Sequence, residues 1–220
     1  MRKRKMENSG KILATLLFAL PAVCFGQAQD GSKYIGWSAG QSTTTFDTGK
    51  NSFGVANLLE TYDKTESGVK LFAGYNFNKT WAIEGGYAGL GTPKIAYTGT
   101  GALAGATGYA NIKNTAWFFS GKGTLPLGNY FGLFGKLGIT GNKSDFTANT
   151  GSNAVNAQVG FPLSKSKVRV APVIGAGIEF KLNDAFRLRA EYEDFGKFNT
   201  DMDAGHTRAA LWSIGATWSF

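Results

Sequence analysis

Charged and apolar side chains alternate in a stretch near the end of the chain. Residues 186–193 read FRLRAEYE, with bases at the second and fourth positions and acids at the sixth and eighth. Side chains two residues apart share one face of a β-strand, so the two bases and two acids point the same way. An unpaired buried ion costs several kcal/mol, so such groups must pair if they are enclosed. The stretch predicts a strand with one ionic face and one apolar face.

The same alternation places other charged residues on one face of apolar stretches. The predicted inward bases are Lys70, Lys122, Lys136, Arg169, Arg187 and Arg189, and the predicted inward acids are Glu84, Glu179, Glu191 and Glu193. Glu84 and Lys122 lie at similar distances from short connections on neighbouring strands, and this predicts an ion pair. Glu179 and Arg187 flank the turn at residues 183–184 and are predicted to pair in the same way. The network is interpreted either as structural filling of an interior or as a gate in a narrow polar conduit.

The sequence contains few residues that could support catalysis or metal binding. His206, the only histidine, lies in DAGHTR (203–208), which offers an acid but no serine at His-x-Ser spacing. A nucleophilic site would need a serine beside the histidine and a carboxylate to orient it. The only cysteine, Cys24, lies in the N-terminal segment described below, so no His/Cys metal site is expected. We predict no enzyme, no metal and no cofactor, with His206 in a loop.

Eight stretches carry the alternation typical of β-strands. They are Tyr34 to Gln41, Gly68 to Phe77, Trp81 to Leu90, Ala116 to Leu125, Tyr130 to Thr140, Val168 to Leu182, Phe186 to Phe195 and Ala210 to Phe220. Their connections alternate between long and short. This predicts an all-β fold, an eight-stranded antiparallel up-and-down transmembrane β-barrel with turns at one end and long loops at the other. A soluble secreted barrel or sandwich, with the two faces reversed, is the alternative.

The N-terminus predicts export. Four basic residues at 2–5 and Lys11 precede an apolar run over 12–25, and Gly26 and Ala28 stand at the spacing of a signal-peptidase site. We expect a cleaved signal peptide over 1–28 and a barrel domain over 29–220. In LPAV (20–23), Val23 stands directly before Cys24 where a lipoprotein has Gly or Ala, so a lipid anchor on Cys24 is not favoured.

The charge of the chain does not predict nucleic-acid binding. The sequence has 23 Lys and Arg against 15 Asp and Glu, and removal of residues 1–28 leaves 18 against 14, a net charge of +4. A nucleic-acid surface gathers basic residues on one face with exposed aromatics between them. Here the basic residues are spread through strands and loops.

Three motifs and the C-terminus resemble a known family. WAIEGGY (81–87), GKG (121–123) and LRAEY (188–192) resemble strands of the OmpA-like transmembrane barrels, including their opacity-type relatives, and the resemblance extends from about Tyr34 to Phe220. It implies an interior acid, lysine and second acid at Glu84, Lys122 and Glu191, with Glu84 and Lys122 able to block or open a narrow pore. Ser213, Gly215, Trp218 and Phe220 resemble the signal by which Gram-negative outer-membrane barrels are recognised for insertion. The chain ends without the periplasmic peptidoglycan-binding domain of larger members, so wall tethering is not expected.

These observations predict an integral component of the Gram-negative outer membrane with a structural role. Expected partners are membrane lipid, lipopolysaccharide and the outer-membrane assembly machinery. Polar, low-complexity stretches in the expected loops, at 41–50, 98–108 and 147–157, leave open an adhesin that binds a host or surface ligand. A narrow ion-pair-gated pore is a further alternative, and lipid A modification is the least favoured.

Overall fold

The computed structural model describes residues 31–46, 58–101, 104–105, 107–150, 164–199 and 206–220. Nearly all of them form ten β-strands: β1 (Lys33–Phe46), β2 (Leu58–Tyr62), β3 (Thr65–Asn76), β4 (Trp81–Gly89), β5 (Lys94–Gly99), β6 (Thr107–Leu127), β7 (Phe131–Thr150), β8 (Ser164–Lys181), β9 (Phe186–Asn199) and β10 (His206–Ser219). Within these ranges no helix is long and apolar enough to cross a membrane. The predicted signal peptide lies outside the described residues.

Eight of the strands close into a barrel. Its order is β6-β4-β3-β1-β10-β9-β8-β7, all neighbours are antiparallel, and β6 pairs with β7 to complete the ring. The first and last strands of the ring meet in register from Tyr34 opposite Ser219 to Phe46 opposite Thr207. Closure removes the free sheet edges that would otherwise leave backbone groups unpaired. The predicted eight-stranded antiparallel barrel is confirmed.

The two ends of the barrel differ. The connections at 77–80, 128–130 and 182–185 are tight turns, and the described chain starts and finishes at the same end. At the opposite end, strands continue into stretches that were expected to be loops: β6 begins at Thr107 rather than Ala116, and β7 runs to Thr150 rather than Thr140. β2 and β5, which were not predicted, extend this wall beside β6. In β5, Ile95 and Tyr97 alternate with exposed residues, and this period-2 pattern explains the extra strand.

The barrel wall has two faces of opposite character. Large apolar side chains cover the outside, with exposed fractions of 67% for Trp117, 68% for Leu137, 72% for Val170 and 69% for Ile214. Charged and small polar side chains on the alternate positions are buried inside. An apolar exterior round a polar interior is the arrangement of a barrel surrounded by lipid. The orientation predicted from the sequence is therefore confirmed, and the soluble alternative is wrong.

β9 bends inward at the end of the barrel opposite the tight turns, which we call the upper end. Its ladder with β8 reaches Ile174 opposite Asp194, and its ladder with β10 shifts register between Arg208 and Ala210. Gly196 has a φ of 68°, a left-handed conformation that suits glycine. Beyond this bulge, the Asn142 side-chain amide of β7 donates to the carbonyls of Phe195 at 2.6 Å and Lys197 at 3.1 Å. The bulge thus turns the end of β9 across the top of the barrel.

Candidate functional site: the buried charge cluster

A cluster of eight charged side chains lies inside the barrel towards the turn end. It comprises the bases Lys70, Lys122, Lys136 and Arg189 and the acids Glu84, Glu179, Glu191 and Glu193, all buried. Four bases face four acids, so the group is neutral as a whole. We call this set the charge cluster. Neutrality matters because the interior of an eight-stranded barrel is just wide enough for its own side chains. The charged groups must therefore offset one another, since an unpaired buried ion is costly.

Lys136 lies at the centre of the cluster. Its ammonium group is 2.6 Å from Glu84, 2.8 Å from Glu191 and 3.0 Å from Glu193. Lys70 donates to Glu191 and Glu193 from the opposite side. The two carboxylates of β9 are therefore held between two ammonium groups, one from β3 and one from β7.

Arg189 joins the remaining members. Its guanidinium donates to Glu84 at 2.8 Å and to Glu179 at 2.6 Å. Glu179 also accepts a hydrogen bond from Lys122 at 2.7 Å, and Glu84 accepts one from the Tyr34 hydroxyl at 2.7 Å. Each acid is thus shared by two or more donors, a requirement for stable ions away from water.

The strand register explains which pairs form. Glu179 stands directly opposite Arg189 on the neighbouring strand, whereas Arg187 stands opposite Lys181. The predicted pairing of Glu179 with Arg187 is therefore wrong, since the turn at 182–185 places Arg187 one inward position closer to the barrel end. Arg187 is half-buried there and lies apart from the charge cluster.

Glu84 and Lys122 are brought together only loosely. Lys122 stands opposite Ala82 and Glu84 opposite Ser120, so the two charges are diagonal neighbours. Their ionic groups are 3.8 Å apart, further than Glu84 is from Lys136 or Arg189. Arg169, also predicted to point inward, is half-buried near the loop end of β8.

Aromatic rings that the sequence analysis did not single out line the charge cluster. The Arg189 guanidinium lies between Phe72, 4.9 Å from the ring centroid, and Phe134, 4.8 Å from it. Lys70 and Lys136 also lie over Phe72, at 5.0 and 5.5 Å. Cations are attracted to ring faces, most strongly where water is excluded. The sequence spacing indicates this aromatic lining. Phe72 follows Lys70 by two residues and Phe134 precedes Lys136 by two, so each ring shares the inward face of its lysine.

Inward glycines make room for these rings. A Cβ atom on Gly36 would lie 2.3 Å from the Phe72 ring, one on Gly74 would lie 2.2 Å from the Tyr34 ring, and one on Gly177 would lie 2.5 Å from the Phe134 ring. Such distances are well inside van der Waals contact. The interior therefore alternates large rings with bare backbone, which accounts for part of the high glycine content.

An apolar layer fills the barrel above the charge cluster. Its buried side chains include Leu90, Ala116, Phe118, Val173, Phe195, Phe198 and Leu211, a set that we call the apolar plug. Phe118 and Phe195 pack edge to face with centroids 6.1 Å apart. Phe195 shares the inward parity of Glu191 and Glu193, and the bulge at Gly196 brings Phe198 to the same side. The interior charges expected from the sequence thus occupy one tier, and an apolar tier lies above them.

Below the charge cluster the barrel opens at the turn end. A cavity of 450 Å³ lies between the turns, and its lining includes Lys122, Glu179, Lys181 and Arg187. Among the described residues, no group of three His, Cys, Asp or Glu side chains could hold a metal ion. His206 begins β10 rather than lying in a loop. The chemistry that the site supports is ion pairing.

The profile of the OmpA-like transmembrane domain matches residues 28–220. The chain belongs to this family. It is an outer-membrane β-barrel, and the matched region contains every strand described above. No curated protein matches the chain.

Solved structures of small outer-membrane barrels share the fold of this family member. Ail, the attachment invasion locus protein of Yersinia pestis, is 21% identical with a TM-score of 0.51, and the match covers 87% of this chain and 100% of Ail. OprG from Pseudomonas aeruginosa is 18% identical with a TM-score of 0.53, covering 89% and 98% of the two chains. Neisserial surface protein A is 12% identical with a TM-score of 0.53, covering 86% and 97%.

The C-terminal residues of this OmpA-like barrel divide between its two faces. Ser213 and Gly215 point inward and are buried, whereas Trp218 and Phe220 are exposed on the outside, at 41% and 62%. A Cβ atom on Gly215 would lie 2.1 Å from the carbonyl oxygen of Trp37, so this position requires glycine. The backbone of Phe220 exchanges hydrogen bonds with Lys33. The last strand therefore closes the ring against the first.

Proposed function

We propose that this protein is a structural barrel of the outer membrane whose interior is closed to solutes. One observation carries the proposal. Glu84 on β4 bonds to Arg189 on β9, and these strands are four places apart in a ring of eight, which is the full diameter. A bond across the diameter, with the rings of Phe72 and Phe134 packed on both sides of the Arg189 guanidinium, fills the middle of the lumen.

The apolar plug supports the same conclusion. An ion that passed the charge cluster would meet a layer of buried aliphatic and aromatic side chains, where an unpaired charge costs several kcal/mol. The two tiers oppose conduction for different physical reasons. An ion-pair switch at Glu84 and Lys122 alone would leave the plug in place, so the gated-pore alternative is less well supported.

We also propose that residues 1–28 are removed on export and that 29–220 form the mature barrel. Amino-terminal sequencing of protein from isolated outer membranes is expected to begin near Gln29. A mature protein that retained Cys24 would contradict this division of the chain.

A test of the structural role uses a strain that lacks the protein. We expect its outer membrane to admit detergents and large antibiotics more readily, and the wild-type chain to restore resistance. A variant in which the upper ends of β6 and β7 are shortened should restore it equally well, since the described barrel below stays closed. Unchanged resistance on deletion would contradict a structural role.

A second candidate function, adhesion, is favoured by the height of the extracellular wall. β6 and β7 remain paired up to Gly108 opposite Thr150, and β2 and β5 broaden the wall beside them. Leu59 and Tyr109 are exposed on this extension, at 65% and 44%. Paired, exposed strand surface above a membrane can bind a partner.

The adhesion candidate can be tested with the same variant, in which the upper ends of β6 and β7 are shortened. Removal of 108–113 and 145–150 takes out six residues from each strand and keeps the register between Asn114 and Ser144. Adhesion predicts that cells with this variant lose binding to extracellular matrix or cultured cells while membrane resistance is kept. Equal binding by both forms would exclude this part of the wall.

A further inference from the structure

A hollow on the outer surface of the barrel lies where the apolar wall gives way to charge. It has a volume of 420 Å³ and is lined by Gln41, Thr43, Thr45, Tyr192, Asp194, Arg208, Ala210 and Trp212. These residues come from β1, β10 and β9, which are neighbours in the ring. The hollow faces the membrane and the surface, away from the charge cluster.

The strand register arranges the hollow in three rows. Gln41, Trp212 and Tyr192 form the lower row; Thr43, Ala210 and Asp194 the middle row; and Thr45 and Arg208 the upper row, which Lys197 on β9 continues at the rim, outside the lining. Ala210, the smallest residue, stands in the centre and forms the floor. The depression exists because large side chains surround this one small one.

The lower row lies at the height of the outer membrane interface. Tyr192 and Trp212 are exposed at 41% and 61%, and their rings are in contact with centroids 5.8 Å apart. Below them Ile214 and Trp218 continue an apolar column to Phe220. Eight residues from Phe220 to Trp212 span roughly 20 Å of height in a tilted strand, close to the roughly 25 Å apolar band of such barrels. Trp212 and Tyr192 therefore lie at the outer interface.

The upper row supplies positive charge just above that interface. Arg208 is four residues beyond Trp212, roughly 10 Å higher in a tilted strand. Its side chain is 60% exposed and donates to Asp194 at 2.6 Å, which leaves other N–H groups of the fork available. Lys197 stands opposite Arg208, is exposed, and makes no ion pair with the described residues. Within the lining, Arg208 and Asp194 offset each other, so Lys197 at the rim gives the hollow and its rim together a net charge of +1.

We infer that this hollow binds the phosphate group of a phosphorylated glycolipid anchored in the outer leaflet. Arg208 and Lys197 would meet the phosphate, and the Thr43 and Thr45 hydroxyls would donate to its oxygens. The acyl chains would lie along Tyr192, Trp212 and Ile214. A lipid is the occupant because only an amphipathic molecule matches a cationic row above an aromatic row at this height.

The experiment measures lipid binding to the purified full-length mature barrel in detergent by native mass spectrometry. The probes are bisphosphorylated lipid A, the same lipid without phosphates, and inorganic phosphate. We expect the bisphosphorylated lipid to bind at least about tenfold more tightly than the dephosphorylated one, the difference that one charge-assisted contact provides. Arg208→Gln with Lys197→Gln should remove that preference.

A matched control comes from another part of the wall. Lys143 and Asp145 on β7 form a similar exposed pair, 3.2 Å apart, two strands beyond β9. A hydrogen bond from Ser166, together with Lys143, holds the pKa of Asp145 below its usual range. Lys143→Gln should leave the lipid preference unchanged.

The shape-conserving variant Thr43→Val with Thr45→Val keeps the inference testable if the Arg208 variant does not fold. It removes two hydroxyls from exposed strand positions, and it should also weaken binding of the phosphorylated lipid. The inference is overturned by equal binding of both lipids, by an equal loss in Lys143→Gln, or by full competition from inorganic phosphate.

Discussion

The guanidinium of Arg189 and the carboxylate of Glu84 lie 2.8 Å apart, although their strands stand on opposite sides of the barrel. Arg189 also holds Glu179 directly across the β8–β9 ladder and lies between the rings of Phe72 and Phe134. One side chain thus links the far wall, the near wall and the aromatic lining. We therefore expect the stability of the barrel to depend on it.

Replacement of Arg189 should destabilise the barrel strongly. Arg189→Met leaves Glu84 and Glu179 with fewer donors, and loss of one partner from a buried ionic network costs about 3–5 kcal/mol. Urea unfolding in detergent, followed by tryptophan fluorescence, measures the change. Arg187→Gln is the control, because Arg187 is half-buried at the barrel end, and it should cost much less. Equal losses in both variants would contradict the assignment.

Removal of both partners should recover part of the loss. Arg189→Met with Glu84→Gln leaves three bases facing three acids, so the charge cluster stays neutral. We expect the double variant to be more stable than the sum of the two single losses predicts, by a coupling of about 0.5–3 kcal/mol. Glu193 provides the comparison, since Lys70 and Lys136 hold it and Arg189 does not. The same coupling for Arg189 with Glu193 would show that total charge, rather than this bond, is decisive.

Gly36 should not tolerate even a methyl group. A Cβ atom there would meet the Phe72 ring at 2.3 Å, and that ring is held by cations on its faces. Gly36→Ala is expected to cost about 1–3 kcal/mol through overpacking. Gly141→Ala is the control, because nothing lies within 4 Å of its added Cβ atom. Thermal unfolding of both variants decides the point, and Phe72→Leu should rescue Gly36→Ala.

Phe220 should act in assembly more than in stability. Its ring is 62% exposed and contacts Trp218 with centroids 5.6 Å apart, so it adds little to the closed barrel. If the C-terminus is the insertion signal, Phe220→Ala should reduce the amount of barrel in the outer membrane of growing cells severalfold. The purified variant should still refold in detergent. Leu127→Ala, at another exposed apolar site near the turn end, is the control, and an equal reduction there would contradict the assignment.

The sequence was sufficient for the barrel and its two faces because a strand has a strict period of two. Lys136, Glu179 and Glu191 could be placed inside from that period alone. It was not sufficient for the ion pairs, since partners such as Arg189 and Glu84 are 105 residues apart and meet only through closure of the ring. Symmetry about the turn at 182–185 predicts Arg187 as the partner of Glu179, whereas the strand register places Arg189 opposite Glu179.

The apolar plug and the extracellular wall were missed for different reasons. Phe195 keeps the inward parity of Glu191 and Glu193, so the period of two already places it inside, whereas Phe198 lies inside because the bulge at Gly196 shifts that period. The sequence analysis does not predict β5, because its six residues lie beside a Gly/Ala/Thr tract that is typical of a loop. Ile95 and Tyr97, both buried, carried the strand pattern there.

Conductance of the purified wild-type barrel in planar lipid bilayers tests the proposed closure most directly. With the charge cluster spanning the diameter and the apolar plug above it, we predict no steady channel openings in concentrated salt. Arg189→Met should stay closed or open only briefly, because the plug remains. A steady conductance in the wild-type barrel that disappears when Glu84 or Lys122 is replaced would contradict the closed structural barrel and establish a gated pore.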